Sequence, residues 1–274
     1  ANRGLGFSYL ISSGNEADVC ASDYIQFMLK DERTTVILGF VEGIKQPDKF
    51  IQAADLASDL GKPIILLKVG KTEKSRATTV SHTGSLAGSD SVQDALFKQK
   101  GVTRVSDLDE LLEAGELFSG LHGRYPRGSG VGLITLSGGE TALTYDLASE
   151  YGVDFPDLSD QTKNQLKEVL PTFAMVGNPL DVTGVGAVHR PTHKKALQLL
   201  SEEGKIHLIA IMQNVRPGQK LTLDIAQTVA DVAKENQKPF VFYTNLSRGI
   251  NDPLLEKLKK GNIPLLQGTR ESLN

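Results

Sequence analysis

The sequence predicts an α/β fold with two consecutive flavodoxin-like, doubly wound domains, each built on a parallel sheet. Short apolar runs alternate with amphipathic stretches of ten or more residues, which is the pattern of βα units on such a sheet. A stretch rich in glycine, proline, arginine and serine, residues 121–130, has no apolar periodicity and separates two series of these units. With 274 residues, 39% of them apolar, the chain is long enough for two cores.

The first series is assigned to a domain of residues 1–122. Its strands are predicted near 6–12, 35–41, 63–69 and 102–105. Its helices are predicted near 18–30, 48–60, 89–100 and 107–118. A flavodoxin-like unit normally starts with a strand, a phosphate-binding turn and a helix. Because the chain begins at what resembles the end of that helix, we expect a strand and a helix upstream of Ala1.

The second series is assigned to a domain of residues 128–274 and has the pattern of a complete doubly wound unit. Its strands are predicted near 130–136, 206–213, 239–244 and 263–266. Its helices are predicted near 139–151, 159–169, 191–203, 220–236 and 252–261.

Composition excludes several classes of protein. The formal net charge is only −3 and charges of both signs are interleaved, so nucleic acid is not expected as a partner. Apolar runs such as PIILLKV and LIAIM are far shorter than the roughly 20 residues that cross a bilayer, so no membrane partner is expected either. The first residues do not form a secretory signal, and we expect a cytoplasmic protein. The single cysteine, Cys20, is predicted to be a small core residue on a helix, and no metal site is predicted.

A loop of small residues follows the predicted strand at 63–69. Its sequence, VGKTEKSRATTVSHTGSLAGSD, is rich in Gly, Ser, Thr and Ala. A histidine that accepts a phosphoryl group needs a neutral ring nitrogen, small neighbours and backbone N–H groups that hold oxyanions. His82 has such neighbours in Ser81, Thr83 and Gly84. Composition alone favours a polar surface histidine.

A phosphoryl-accepting histidine also needs a partner that orients its other ring nitrogen, usually a carboxylate or a carbonyl. Glu42 is the candidate. It ends the predicted strand TVILGFVEG, at the carboxyl edge where open α/β sheets place their ligands, and Gly43 allows a sharp turn after it. An exposed loop carboxylate is the alternative interpretation of Glu42.

A second candidate site follows the predicted strand VGLITL. That strand ends at Ser137, Gly138 and Gly139, and a helix is predicted to start there. Free backbone N–H groups at a helix start, beside a hydroxyl, favour the binding of an anion such as phosphate. Many such turns bind nothing, and Glu140 in the first helical turn repels an anion.

Three motifs together resemble those of the ADP-forming acyl-CoA synthetases, relatives of succinyl-CoA synthetase. They are SYLISSGNEADV, the VEGI turn at 41–44 and SHTGSLAGSD at 81–90. The resemblance implies that His82 becomes phosphorylated and that Glu42 is hydrogen-bonded to it. It also implies that the helix start at 137–139, a so-called power helix, faces the phosphohistidine. The stretches GNPLDVTG and IMQNVRPG are similar to that second domain, although turn chemistry alone also accounts for them.

The resemblance covers almost the whole chain, as two of the five domains usual in the family. Missing are a CoA-binding domain and the two lobes of an ATP-grasp unit, and no GxGxxG or Walker A motif replaces them. Coenzyme A and ATP or ADP with Mg²⁺ are therefore expected as substrates bound largely outside this chain. The expected partners are those domains or a subunit that carries them, together with a small carboxylic acid, in an oligomer.

The function predicted from the resemblance is reversible: acyl-CoA, ADP and phosphate give the acid, CoA and ATP through a phosphohistidine. Without the missing domains the chain is expected to be inactive. A non-catalytic module that senses CoA or acyl-CoA is the main alternative, because fold does not fix function. A flavodoxin-like electron carrier is disfavoured, since the chain has no Trp and few loop tyrosines to stack a flavin.

Overall fold

The computed structural model describes residues 5–75, 89–215, 219–246 and 252–274. The chain divides into two compact units, Ala1–Ser119 and Gly120–Asn274. Each unit contains one parallel sheet, which confirms the predicted α/β class with two parallel-sheet domains. The domain bounds 1–122 and 128–274 stay a prediction.

The first unit has a three-stranded sheet in the order β1-β2-β3. The strands are β1 (Ile37–Val41), β2 (Ile64–Lys68) and β3 (Thr103–Val105). The helices of its described residues are α1 (Ala21–Leu29), α2 (Pro47–Asp59), α3 (Asp90–Gln99) and α4 (Leu108–Gly120). All of these elements overlap predicted ones, because long amphipathic helices and buried strands carry the strongest sequence pattern.

Apolar residues cover both faces of this sheet. Ile64 and Leu66 of β2 pack into a cluster with α1, α2 and α3, whereas Ile65 and Leu67 point to the opposite face and pack with α4. Alternate residues of a strand face opposite sides of the sheet. The unbroken apolar run IILL is therefore what a strand needs when helices lie on both sides of it.

The predicted strand near 6–12 is wrong, since residues 5–20 form no helix or strand. The segment is instead held by side chains: Tyr9 donates a hydrogen bond to Asp31 at 2.7 Å, and Thr34 donates one to Ser8 at 3.1 Å. An apolar pattern becomes a strand only where a neighbouring strand accepts its backbone hydrogen bonds. None of the described residues provides that neighbour.

Cys20 is buried, as predicted, but it lies one residue before α1 instead of within a helix. Its thiol contacts the Asp23 carboxylate at 3.1 Å, and the Cys20 backbone N–H donates to the same carboxylate at 3.0 Å. These two bonds from Cys20 to Asp23 hold the start of α1 in place.

The second unit has a five-stranded sheet in the order β5-β4-β6-β7-β8. The strands are β4 (Val131–Thr135), β5 (Leu180–Asp181), β6 (Leu208–Met212), β7 (Phe240–Thr244) and β8 (Leu265–Gln267). The helices of its described residues are α5 (Gly138–Tyr151), α6 (Asp160–Val169), α7 (Thr183–Val188), α8 (Arg190–Glu202), α9 (Lys220–Lys234), α10 (Asp252–Lys260) and α11 (Thr269–Leu273). The short elements β5, α7 and α11 escaped the sequence analysis.

The strand order places a topological switch point between β4 and β6. The chain leaves β4 toward β5 on one side, and the later strands continue on the other side. In open parallel sheets the crevice outside the carboxyl ends of two such strands is where ligands bind. Residues 136–140 after β4 and residues 213–215 after β6 border this crevice.

No helix within the described ranges is both long and apolar enough to cross a membrane.

Candidate active site

Glu42 directly follows Val41, the last residue of β1, so it lies at the carboxyl edge of the first sheet as predicted from the strand pattern. One of its carboxylate oxygens, Oε2, is buried and has no hydrogen-bond partner among the residues that the structure describes. A buried acceptor without a partner costs free energy. The carboxylate is therefore available to a donor outside these residues. Gly43 has no left-handed backbone, so the turn after Glu42 does not require glycine.

The neighbouring strand β2 ends beside Glu42. Val41 pairs with Lys68 in the parallel register, and the Val69 backbone N–H donates to the Val41 carbonyl at 3.1 Å. Lys68 is 1% exposed, and its ammonium group donates to the Val69 carbonyl. Lys68 was not among the residues predicted from the sequence to belong to a site. Its signal was a single charged residue at the end of an otherwise apolar run.

The predicted phosphoryl carrier and its neighbours, Ser81, His82, Thr83 and Gly84, lie outside the described residues. Their roles stay predictions. The segment that contains them departs from β2, and the carboxyl ends of parallel strands lie at one edge of a sheet. The segment thus starts from the same edge as Glu42. Gly70, at the start of the segment, has φ +83, a left-handed conformation that favours glycine.

The second predicted site lies at the start of α5. Ser137 occupies the N-cap position with an extended backbone, φ −156 and ψ 134, and its side chain makes no capping hydrogen bond. Ser137, Gly138 and Gly139 are all exposed. The backbone N–H groups of a first helical turn have no partner within the helix, and together with the helix dipole they attract anions. The geometry is that of an open anion site, and its use for phosphate stays a prediction.

Glu140 does not leave its carboxylate free beside that helix start. Its Oε1 accepts hydrogen bonds from the side-chain amides of Asn214 at 2.8 Å and Asn245 at 3.5 Å. The Thr269 hydroxyl donates to Asn245 Oδ1 at 2.7 Å and so orients that amide. Burial, with a smaller contribution from the charge of Asp181, raises the pKa of Glu140 above its ordinary value. The expected repulsion of an anion is thus moderated by two amide donors.

The GNPLDVTG stretch has a structural task at this edge. Asn178 is buried, and its Oδ1 accepts a hydrogen bond from the Leu133 backbone N–H at 3.0 Å. Its Nδ2 donates to the carbonyls of Val131 at 2.8 Å and Pro156 at 3.0 Å. Asp181 accepts a hydrogen bond from the Thr183 backbone N–H at 2.8 Å. These contacts agree with the interpretation that turn chemistry shapes the stretch.

Within the described part of the chain, no three or more His, Cys, Asp or Glu side chains are grouped so that they could hold a metal ion.

The fold and these sites define an α/β protein with two parallel sheets, each of which presents polar groups at its carboxyl edge. Residues 1–118 match the family model described as the succinyl-CoA ligase like flavodoxin domain. The chain belongs to the family of NDP-forming acyl-CoA synthetases.

Two curated relatives and one solved structure illustrate the similarity. The ADP-forming acetate–CoA ligase I of Archaeoglobus fulgidus is 34% identical over 207 residues, which are 76% of this chain and 29% of that protein. The ADP-forming acetate–CoA ligase II subunit alpha of Pyrococcus furiosus is 31% identical over 263 residues, 95% of this chain and 56% of that subunit. The chain thus spans about a third to about half of the length of these relatives.

The solved structure is that of the dinucleotide forming acetyl-coenzyme A synthetase 1 of Candidatus Korarchaeum cryptofilum, in complex with phosphate and ADP. It superposes with a TM-score of 0.77 at 25% identity and covers 96% of this chain and 56% of the other. The likeness confirms the fold that the two series of βα units predicted.

Proposed function

We propose that this chain is the part of an ADP-forming acid–CoA ligase that carries the phosphoryl group on His82. The complete enzyme interconverts acyl-CoA, ADP and phosphate with the acid, CoA and ATP. One observation carries the proposal: the buried Glu42 oxygen has no described partner, and it lies at the edge from which the His82 segment departs. A carboxylate in that position is suited to accept the N–H of an imidazole.

The chemistry divides into three displacements. Phosphate oxygen attacks the thioester carbonyl, the C–S bond breaks, and CoA thiolate leaves as an acyl phosphate forms. A ring nitrogen of His82 then attacks phosphorus, and the P–O bond to the acyl group breaks to release the carboxylate. Finally a β-phosphate oxygen of ADP attacks the same phosphorus, the N–P bond breaks, and ATP forms. The first displacement transfers the acyl group from sulfur to phosphate, and the other two transfer the phosphoryl group. The second ring nitrogen of His82 keeps its proton throughout.

Glu42 supports the middle displacement. The ring of His82 gains positive charge as its nitrogen bonds to phosphorus, and a carboxylate at the other ring nitrogen stabilises that charge and fixes the tautomer. Backbone N–H groups around Ser81, Thr83 and Gly84 hold the phosphoryl oxygens. Phosphoryl transfer depends chiefly on such positioning and on neutralising charge.

The start of α5 is proposed as a second phosphate site, formed by the N–H groups at Gly138 and Gly139 and the Ser137 hydroxyl. These groups are exposed and uncapped. CoA, Mg²⁺ and the nucleotide are proposed to bind largely to CoA-binding and ATP-grasp domains outside this chain, in a cytoplasmic oligomer. The relatives' greater length is consistent with such domains.

Labelling tests the nucleophile. The full chain is mixed with an ATP-grasp subunit of an ADP-forming relative, Mg²⁺ and γ-labelled ATP, and the products are kept at alkaline pH. A phosphoramidate is stable in base and hydrolyses in acid, because protonated imidazole is a good leaving group, whereas phosphoserine survives acid. We expect an acid-labile label on the peptide that contains His82, and its loss in His82→Asn.

His122→Asn is the matched control, because His122 is an exposed histidine in a left-handed turn that asparagine tolerates. This variant is expected to label like the wild type. A label that persists in His82→Asn, or one that resists acid, contradicts the proposal. A wild-type chain that binds acyl-CoA but never acquires label favours the sensing module instead.

A further inference from the structure

A cleft of about 570 Å³ lies beside β3 in the first unit. Lys71, on the segment that leaves β2, lines it on one side, and Asp90 and Asp94 of the first turns of α3 line it on another. Arg104 of β3 lines it as well. The two described ends of the connection that contains His82 therefore border one cleft, and Arg104 lies in it.

Arg104 ties the start of α3 to the sheet. Its guanidinium Nη2 lies 2.7 Å from Asp90 Oδ1, and its Nη1 lies 3.4 Å from Asp94 Oδ1. Only 14% of the arginine side chain is exposed. Arg104 itself pairs with Leu66 of β2, so its backbone is fixed within the sheet. A partly buried arginine that holds two carboxylates restricts position more than an exposed ion pair does.

The start of α3 lacks a side-chain cap, and its Asp94 also pairs with Lys98 of the same helix at 2.9 Å. Ser89 occupies the N-cap position, but its side chain makes no capping hydrogen bond, and its hydroxyl instead bonds to Ser91 at 2.8 Å. A missing cap lowers helix stability. The ion pairs of Arg104 do not cap the backbone, but they link the first turns of α3 to the sheet.

We propose that Arg104 is a positioning residue for phosphohistidine chemistry. By holding Asp90 and Asp94, it fixes the point at which the segment carrying His82 rejoins the fold. The inference rests on the proposed function of His82. A displacement of about 1 Å at a reacting group costs roughly a hundredfold in rate, so a restraint at the end of the segment has a large effect on transfer.

The test compares two labelling reactions in the full chain. Enzymatic labelling uses ATP, Mg²⁺ and the ATP-grasp subunit, and it requires aligned groups. Chemical labelling uses potassium phosphoramidate, a small reagent that phosphorylates accessible imidazoles without alignment. In Arg104→Gln we expect the enzymatic rate at His82 to fall about tenfold to a hundredfold. The chemical rate at the same residue is expected to stay within about twofold, since the nucleophile itself is intact.

Lys100→Gln is the matched control. It removes the ion pair between Lys100 and Asp55, 2.7 Å apart, just beyond the opposite end of the same helix α3. Both labelling rates are expected to match the wild type. Arg104→Lys is expected to recover part of the enzymatic rate, because an ammonium group pairs with one carboxylate but does not bridge two in a fixed plane.

Hydrogen exchange at the amides of Val92 and Gln93, which bond to the Ser89 carbonyl at 3.1 Å, reports the anchoring independently of labelling. We expect faster exchange there in Arg104→Gln than in Lys100→Gln. Enzymatic labelling at the wild-type rate in Arg104→Gln overturns the proposal, as does an equal loss of both labels, which indicates only unfolding. If the wild type never labels His82, the proposed function fails, while exchange still shows whether Arg104 anchors α3.

Discussion

The glutamates at the carboxyl edges of the two sheets differ in their hydrogen bonding. At the first edge, Glu42 keeps a buried oxygen without a partner among the described residues. At the second edge, the amides of Asn214 and Asn245 donate to Glu140. A carboxylate whose hydrogen-bond donors are fixed contributes to structure. A carboxylate that lacks such donors can accept a hydrogen bond from a group that binds reversibly. The difference points to Glu42 as a residue that takes part in phosphoryl transfer and to Glu140 as a fixed support of the helix start at the second edge.

Glu42→Gln is the change that tests this contrast most strongly. An amide does not stabilise the imidazole as it gains charge, so we expect the barrier to enzymatic labelling of His82 to rise by about 2–4 kcal/mol. That is a loss of about thirtyfold to a thousandfold in rate. The free energy of unfolding is expected to change by less than about 1 kcal/mol, because no described hydrogen bond is removed from Oε2.

The same labelling assay on Glu140→Gln serves as the comparison, with the label measured on the His82 peptide over time. The rate is expected to fall far less there. If the two variants lose the same fraction of the rate, the contrast between the edges is wrong.

A second buried group without a partner among the described residues, His193, belongs to neither candidate site. His193 of α8 is 1% exposed, and neither ring nitrogen has a hydrogen-bond partner in the described ranges. Burial lowers the pKa of His193 to about 4 from 6.5. The unfolded chain therefore binds a proton more readily than the folded chain between these values. His193 therefore leaves the free energy of unfolding unchanged above pH 6.5. As the pH falls from 6.5 toward 4, protonation of the unfolded chain lowers that free energy by about 3 kcal/mol in total.

Unfolding by guanidinium at a series of pH values measures this effect, with peptides of the second unit followed by hydrogen exchange. His193→Leu is expected to flatten the dependence and to change stability little at pH 7.5, since an apolar group replaces an unpaired polar one. His122→Asn, which alters an exposed histidine, is expected to keep the wild-type dependence. An unchanged slope in His193→Leu disproves the assignment.

The smallest expected effect concerns the support at the second edge. Glu140→Ala removes the acceptor of the Asn214 and Asn245 amides, and we expect the second unit to lose about 1–2 kcal/mol of unfolding free energy. Glu150→Ala on the same helix breaks an exposed pair with Arg270, whose side chains are 55% and 54% exposed, and is expected to change stability by less than about 1 kcal/mol. Thermal or guanidinium unfolding compares the two. Equal losses would mean that the Glu140 bonds add nothing beyond a surface contact.

Long periodic elements were predictable from sequence, and short ones were not. The run IILL predicts a strand and the apolar periodicity of α9 predicts a helix without further information. In both elements the spacing of consecutive apolar residues shows which faces are buried. The helix TGVGAV, α7, carries two glycines and no polar face, so only its packing in the fold makes it helical. The apolar pattern at 6–12 misled for the converse reason, since its pairing partner is not among the described residues.

Among the candidate site residues that the structure describes, the position of Glu42 and the helix start at 137–139 were predictable, but their bonding was not. Glu42 was placed correctly because the residue after a parallel strand must lie at the carboxyl edge. Glu140 is hydrogen-bonded to Asn214 and Asn245, which lie 74 and 105 positions away in the sequence, and no local sequence pattern predicts these bonds. In the sequence alone, Arg104 likewise resembles any charged residue of a strand. Its two partners become visible only when α3 packs beside β3.

The Asn178 side chain explains how β5, an edge strand of only two residues, completes the hydrogen bonding of the longer strand β4. β5 pairs only with Ile134 and Thr135 of β4. The Asp154 carbonyl accepts a hydrogen bond from the Val131 N–H at 2.8 Å, so the Val131 carbonyl and the Leu133 N–H are left without a described strand partner on this side. There the Asn178 amide presents one acceptor to Leu133 and one donor to Val131, and so imitates a peptide group of the absent strand. A side chain has replaced backbone. Aspartate lacks the donor and glutamine carries the amide one methylene too far, so this position is expected to accept neither of its nearest chemical relatives.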